Sequence, residues 1–321
     1  SQTTDVTRVT PRIVDTARRL WAVYVLVTGL AVATLLGLNA AGVAPEMTPF
    51  DAVAHALTSV STSGFSPRAE SVGAFGPAVQ WTMVPFMFVG AVNFVLLYHL
   101  LRGESTRLRE SAEFRFYAAV TVLGSALVVA LLLLSPGPDV PVGLEATVRH
   151  GVFQFVSILT TTGYATVNFD LWPASARHVL FAAMFIGGMA GSTTCSIKSL
   201  RWLLVTKSFW RDLNVSAHPR TVRPIRLGDE VVDEETVQDV YAYTLVALVF
   251  FILGTVLLIA DGERAGAPLT EFEALSASAS TFFNIGPAFG AAGPYGTYEG
   301  FARSSKLLMV LLMWVGRIEI I

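Results

Sequence analysis

Three short stretches of this sequence could present oxygen atoms to a cation: Thr62-Ser63-Gly64-Phe65, Thr161-Thr162-Gly163-Tyr164 and Asn284-Ile285-Gly286-Pro287. Each is a short run whose third residue is glycine. Glycine allows backbone angles that other residues avoid, so such a loop can aim its carbonyls at a common axis. A ring of carbonyl dipoles can replace the water shell of a cation, and hydroxyls add oxygens or brace the loop. Oxygen ligands without a fixed acidic cage suit a weakly hydrated monovalent ion better than magnesium or calcium. One T-x-G-F pattern alone is compatible with an ordinary extramembrane turn. Three matched loops favour the carbonyl-lined reading.

A second group lies in an apolar run. Gly187, Gly188 and Gly191 are followed by Ser192, Thr193 and Thr194, with Lys198 close behind. Small residues can serve close helix packing in a membrane. The same glycine and hydroxyl run is poor helix material, which fits an unwound segment that obstructs a path beneath the loops. Lys198 either faces that path or extends to the cytoplasmic surface, and Arg317 either faces it or pairs with Glu319 at the interface. Asn93, within an apolar run, reads as a hydrogen bond to another helix rather than an ion ligand.

The elements that must position these residues are membrane helices. Charged residues make up 14% of the 321, and mean hydropathy is +0.58, against about 25% charged in soluble domains. Apolar runs long enough to span occur at about 20–38, 78–101, 116–134, 178–200, 240–260 and 305–321. Each glycine loop falls between two of these spans. Each follows a stretch with an acidic residue near its start (Asp51, Glu145, Glu271) that reads as a helix of about ten residues, too short to cross. Non-helical backbone at membrane depth survives only beside water or inside protein, so each unit reads as helix, re-entrant helix and loop, helix. Gly64 and Gly163 are 99 residues apart, and Gly163 and Gly286 are 123 apart. The extra length fits a polar linker around 206–238.

Basic residues orient the chain. Segments 1–19, 102–115 and 201–239 hold four, four and six Lys/Arg, whereas all the opposite loops together hold six. The N-terminus is therefore expected to be cytoplasmic. Trp81, Trp172, Trp202, Trp210 and Tyr98 stand near span ends and are expected in interfacial belts. A net charge of −2 excludes a basic nucleic-acid surface, and a single cysteine, Cys195, excludes a disulfide framework or cysteine zinc cluster. The five histidines show no metal-ligand spacing. No nucleophile–base motif points to an enzyme. A carrier of another solute needs helix termini facing a midplane site, which re-entrant loops on one face do not supply.

At these residues the sequence resembles the membrane subunit of Trk/Ktr-type potassium uptake systems. STSGFS at 61–66, TTTGYAT at 160–166 and FNIGPAFG at 283–290 resemble that family's second, third and fourth filters. MFIGGMAGSTTCSIK at 184–198 is similar to its third inner helix, broken by an intramembrane gating loop; HPRTVRPIRLGDEVVDEE at 218–235 resembles its cytoplasmic linker and GRIEI at 316–320 its fourth inner helix. The resemblance implies an all-α membrane protein of potassium-channel-type repeats: 1–101, 102–205 with the broken inner helix, a linker at 206–238, and 239–321. It implies potassium as the transported ion, no covalently bound cofactor, and filter contacts from Thr62 to Phe65, Thr161 to Tyr164 and Asn284 to Pro287. It implies a gate at Gly187, Gly188, Gly191, Ser192, Thr193, Lys198 and Arg317, with Arg317 opposing cation passage. It also implies the cytoplasmic membrane, a lipid surround, a homodimer and a cytoplasmic nucleotide-binding regulatory partner of the TrkA/KtrA kind. Two departures stand out. The family's first repeat has no counterpart, so both chain ends read as those of a longer polypeptide, and an incomplete, non-conducting subunit is the alternative function. Thr194-Cys195-Ser196 stands where the family has a glycine-rich run.

Overall fold

A computed structural model describes residues 3–135, 137, 140–218, 224–228 and 230–318. The chain is an all-α membrane protein. Its helices are α1 (Thr3–Ala40), α2 (Pro49–Val60), α3 (Pro77–Gly90), α4 (Phe94–Leu101), α5 (Ser105–Glu110), α6 (Ala112–Leu134), α7 (Leu144–Leu159), α8 (Ala174–Ala183), α9 (Ser199–Ala217), α10 (Glu234–Arg264), α11 (Glu271–Phe282) and α12 (Arg303–Ile318). A two-stranded antiparallel hairpin, Arg226–Leu227 with Glu230–Val231, lies in the linker. Linker residues 219–223 and Glu319, considered as a partner for Arg317, lie outside the described residues.

Among the described residues three helices are long and apolar enough to span a membrane, at Val14–Ala40, Ala112–Leu134 and Glu234–Arg264. The α3–α4 pair makes a fourth if counted together, but it is bent by 106°. The expected continuous span over 78–101 is therefore broken at Ala91–Asn93. The cause is local and tertiary at once. The Asn93 side chain accepts from the Val95 and Leu96 amides and starts a new helix, while the Gly90 and Ala91 carbonyls receive amides from residues 193 and 189. The run over 178–200 is divided where its glycine and hydroxyl residues predict an unwound segment. Helix α8, about 15 Å long, stops at Ala183, and non-helical chain runs to Lys198 before α9 begins.

The short helices α2, α7 and α11 precede the three glycine loops. Pro49 and a reciprocal Thr48–Asp51 capping box start α2, and a Thr270–Glu273 box starts α11. Glu271 opens α11, as expected of an acidic residue at the helix start, and Glu273 does the capping. In the second, Glu145 pairs with Arg149 at 2.8 Å and accepts from the Trp81 indole at 3.0 Å. Each short helix is wedged between longer ones: α2 against α1 and α3, α7 against α6 and α3, and α11 against α10 and α12. Trp172 departs from its expected place in an interfacial belt. It is 2% exposed and packs in the core against Phe169. Trp210 is exposed, as a belt residue would be.

Candidate functional site

The three glycine loops share one backbone plan. Among the described residues φ is positive at Thr62 and Gly64, at Thr161 and Gly163, and at Asn284 and Gly286. The residue between each pair, and the one after, have negative φ. Alternation of sign along four residues turns successive carbonyls toward one side. The amides turn the other way, into the last turn of the preceding helix. Ser63 and Gly64 donate to the Thr58 carbonyl at 2.9 and 3.1 Å, and Thr162 and Gly163 to the Ser157 carbonyl at 2.9 and 3.1 Å. Ile285 donates to the Ser280 carbonyl at 2.9 Å, and Gly286 to the Ser280 hydroxyl at 3.1 Å.

Thr58, Ser157 and Ser280 brace the loops and were not singled out by pattern reading. Each stands six positions before its loop glycine. Thr58 Oγ1 bonds the Phe65 carbonyl at 2.9 Å and Ser157 Oγ the Tyr164 carbonyl at 2.7 Å. Superposing the three loops by their glycines would have exposed this shared hydroxyl. With amides and flanking carbonyls satisfied, the carbonyls of residues 62–64, 161–163 and 284–285 accept no protein hydrogen bond among the described residues. Buried carbonyls are seldom left so. Thr62, Thr161, Thr162 and Ile285 are buried, and eight open carbonyls together suit a guest that supplies positive charge.

The loops also meet one another. A methyl group added at Gly64 would overlap the Thr162 carbonyl, its carbon only 2.7 Å away, and one at Gly163 would overlap the Ile285 carbonyl and lie 2.9 Å from Pro287 Cδ. Loop one therefore abuts loop two, and loop two abuts loop three. Tyr164 is fully buried, with its hydroxyl on Thr58 and on the His55 carbonyl of α2. The equivalent Phe65 is 75% exposed, and a Cβ at Gly286 would meet open space. At the start of α2, Asp51 is bound by the Arg68 guanidinium at 3.0 and 2.5 Å. That bond, with help from Thr48, holds its carboxyl well below the usual carboxylate range.

The non-helical segment 184–198 touches the first residue of two loops. Thr193 Oγ1 is 3.0 Å from Thr62 Oγ1, and the Cys195 amide donates to Thr161 Oγ1 at 3.0 Å. The third first-position residue, Asn284, donates to the Met313 carbonyl of α12 at 3.1 Å. The segment's two limbs are tied by Gly187 N to Ile197 O at 2.9 Å and Ser199 N to Gly188 O at 3.0 Å. Trp202, at 2.9 Å from the Phe185 carbonyl, braces the first limb. Ser196, in the run that departs from glycine, holds a left-handed φ of 66° and bonds the Met184 carbonyl at 2.8 Å. A cavity of about 380 Å³ is lined by Ser61, Ser192–Cys195, Lys198, Gly316 and Arg317, with Tyr24 at its edge. Lys198 is 8% exposed and bonds the Thr194 carbonyl, so it does not extend to the surface. Arg317 bonds Cys195 Sγ at 2.6 Å. Besides capping its own helix α4, Asn93 bonds this segment, at the Ala190 carbonyl, rather than another helix. Among the described residues no His/Cys/Asp/Glu group could hold a metal ion.

Residues 7–321 match the family model described as TrkH, cation transport protein. The chain is 31% identical to the Trk system potassium uptake protein TrkH of Salmonella typhimurium over 312 residues, 97% of this chain and 61% of that one. It is 32% identical to TrkH of Vibrio parahaemolyticus over 318 residues, 98% and 62%, and 31% identical to the Escherichia coli protein TrkG over 316 residues, 98% and 61%. The crystal structure of the potassium transporter TrkH from Vibrio parahaemolyticus superposes with a TM-score of 0.85 at 30% identity, over 97% of this chain and 63% of that one. The chain thus spans about three fifths of the length of these relatives. Its three matched loops, the broken inner helix beneath them and a match running almost end to end lead to one conclusion: the chain belongs to the TrkH cation transport family.

Proposed function

We propose that this chain builds three walls of a potassium-conducting pathway across the cytoplasmic membrane. In this reading carbonyls of Thr62 to Phe65, Thr161 to Tyr164 and Asn284 to Pro287 form the selectivity filter. The segment containing Gly187, Gly188, Gly191, Ser192 and Thr193, with Lys198 and Arg317, is the gate, and potassium is cargo rather than cofactor. The observation that carries it is the set of eight unpartnered carbonyls on three abutting loops with one φ pattern. Carbonyl dipoles at that density stabilise a bare monovalent cation. A fourth wall closes the ring beside Gly286 and Phe65, where space is open and the aromatic ring is exposed.

The names of the relatives support potassium as the ion, and the chemistry is transport rather than catalysis. The excess of Lys/Arg in segments 1–19, 102–115 and 201–239 supports a cytoplasmic N-terminus and linker. Pore repeats at 1–101, 102–205 and 239–321, a homodimer and a nucleotide-binding cytoplasmic partner complete the proposal, on resemblance to Trk systems.

The test is Gly163→Ser in the complete protein, reconstituted in liposomes, with rubidium-86 uptake competed by potassium and sodium. A side chain at Gly163 forces the Ile285 carbonyl aside, so potassium preference over sodium should fall. A folded variant with undiminished preference would overturn the filter assignment.

A further inference from the structure

Ala190, near the tip of the segment beneath the loops, is gripped at both of its backbone groups by side chains from two other elements. Its amide donates to Glu113 Oε1 at 2.7 Å, and its carbonyl accepts from Asn93 Nδ2 at 2.7 Å. Glu113 stands in the first turn of α6, and Asn93 caps α4. Around Asn93 the backbone continues the grip. Phe94 N donates to Gly191 O at 3.3 Å, and Met189 N to Ala91 O at 2.9 Å. Gly191 has φ +76°, and a Cβ there would lie 2.9 Å from Asn93 Nδ2, so only glycine lets the two surfaces meet.

We propose that Glu113 and Asn93 form a latch that holds the gating segment in its occluding position. The proposal rests on the reading of 184–198 as the gate. Both are positioning residues, acting through Ala190 and not on the ion. Their bonds to Ala190 exist only while the segment sits beneath the loops, whereas the bonds of Asn93 Oδ1 to Val95 and Leu96 stay within α4 and survive its departure. Such bonds favour the closed state alone, which is what a latch requires. The two jaws also stand at either end of one short connection. Chain from Asn93 passes through α4 and α5 to Glu113, and α5 is tied back by Glu104 to His99 at 2.9 Å and to Arg107 at 2.8 Å. Displacement of α5 loads both jaws together.

The experiment is rubidium-86 uptake by the complete protein in liposomes, with four variants. Glu113→Ala should raise flux about tenfold, the factor carried by one charge-assisted hydrogen bond, with potassium preference over sodium unchanged. Glu113→Gln keeps an acceptor oxygen and should give a smaller rise. Asn93→Ser keeps an N-cap for α4 but is too short for Ala190, so it should raise flux without loss of fold. In a protein lacking residues 189–194, where flux is already raised, Glu113→Ala should add nothing. Unchanged or lower flux in folded Glu113→Ala and Asn93→Ser, or an equal rise in the shortened protein, overturns the latch. If the shortening alone leaves flux unchanged, the gate reading itself fails and the latch with it.

Discussion

Tyr164→Phe isolates what ties loop two to the unit before it. The hydroxyl is buried and meets two groups of α2, Thr58 Oγ1 and the His55 carbonyl at 3.2 Å. Removing one oxygen deletes both contacts and leaves the tilted ring contact with His55, at 5.6 Å between centroids, intact. The His55 carbonyl keeps its helical partner, and Thr58 keeps the Ala54 and Phe65 carbonyls at 2.8 and 2.9 Å. The hydroxyl has one proton to donate and its removal strands no group, so the loss is about 1 kcal/mol rather than a full desolvation penalty. Thr58→Val should cost a comparable amount, because it also frees the Phe65 carbonyl. Chemical unfolding of the complete protein in detergent micelles, for both single variants and the double, measures the coupling. The double should be less destabilised than the sum by about 1 kcal/mol. Sodium should compete better in rubidium uptake for each variant, since the same contact fixes the loop glycine against Ile285. Additive stabilities and unchanged competition would refute the argument that this bond aligns the filter.

Three further outcomes are expected. Arg317→Gln removes a cation from the cavity under the loops; a like charge within about 6 Å of a passing ion costs about 3 kcal/mol at an effective dielectric of about 20. Rubidium flux should rise with ion preference kept, and unchanged flux counts against Arg317 facing the path. Asp51 has its folded pKa depressed by Arg68, so its contribution is present above the ordinary carboxylate pKa of about 3.9 and is lost only as pH falls through the lower folded value. The stability difference between the parent and Asp51→Asn should therefore be flat from about pH 8 to about pH 5, and a slope in unfolding midpoints over that window rejects the assignment. A cysteine placed at Ser216 should resist membrane-impermeant thiol reagents in intact cells and react after permeabilisation; labelling of intact cells reverses the proposed topology.

The glycine loops and the broken inner helix were legible because they violate helix chemistry inside apolar sequence. Gly187, Gly188 and Gly191 with three hydroxyl residues cannot pass for a membrane helix, and the structure has no helix from Met184 to Lys198. The break at Ala91–Asn93 was hidden for the opposite reason. MFVGAVNFVLLYHLL reads as one apolar run, and what divides it is hydrogen bonding to residues a hundred positions away. Trp172 was misplaced because nearness to a span end does not say which way a side chain faces. Thr58, Ser157 and Ser280 carry no signal of their own in the sequence, since a hydroxyl inside a helix acquires meaning only from the loop that folds back onto it.

The abutment of Gly64 on Thr162 and of Gly163 on Ile285 joins residues about a hundred positions apart in the chain. Contacts of that sequence separation close large loops and bear the entropy of doing so before any local reward arrives. The long helices α1, α6 and α10 satisfy their own backbones and can form first in lipid. The abutting loops cannot, because each borrows its shape from the next. The three-loop face is therefore expected to assemble last, and if it is the filter proposed above, a folding defect there first becomes visible as lost selectivity in an otherwise inserted protein.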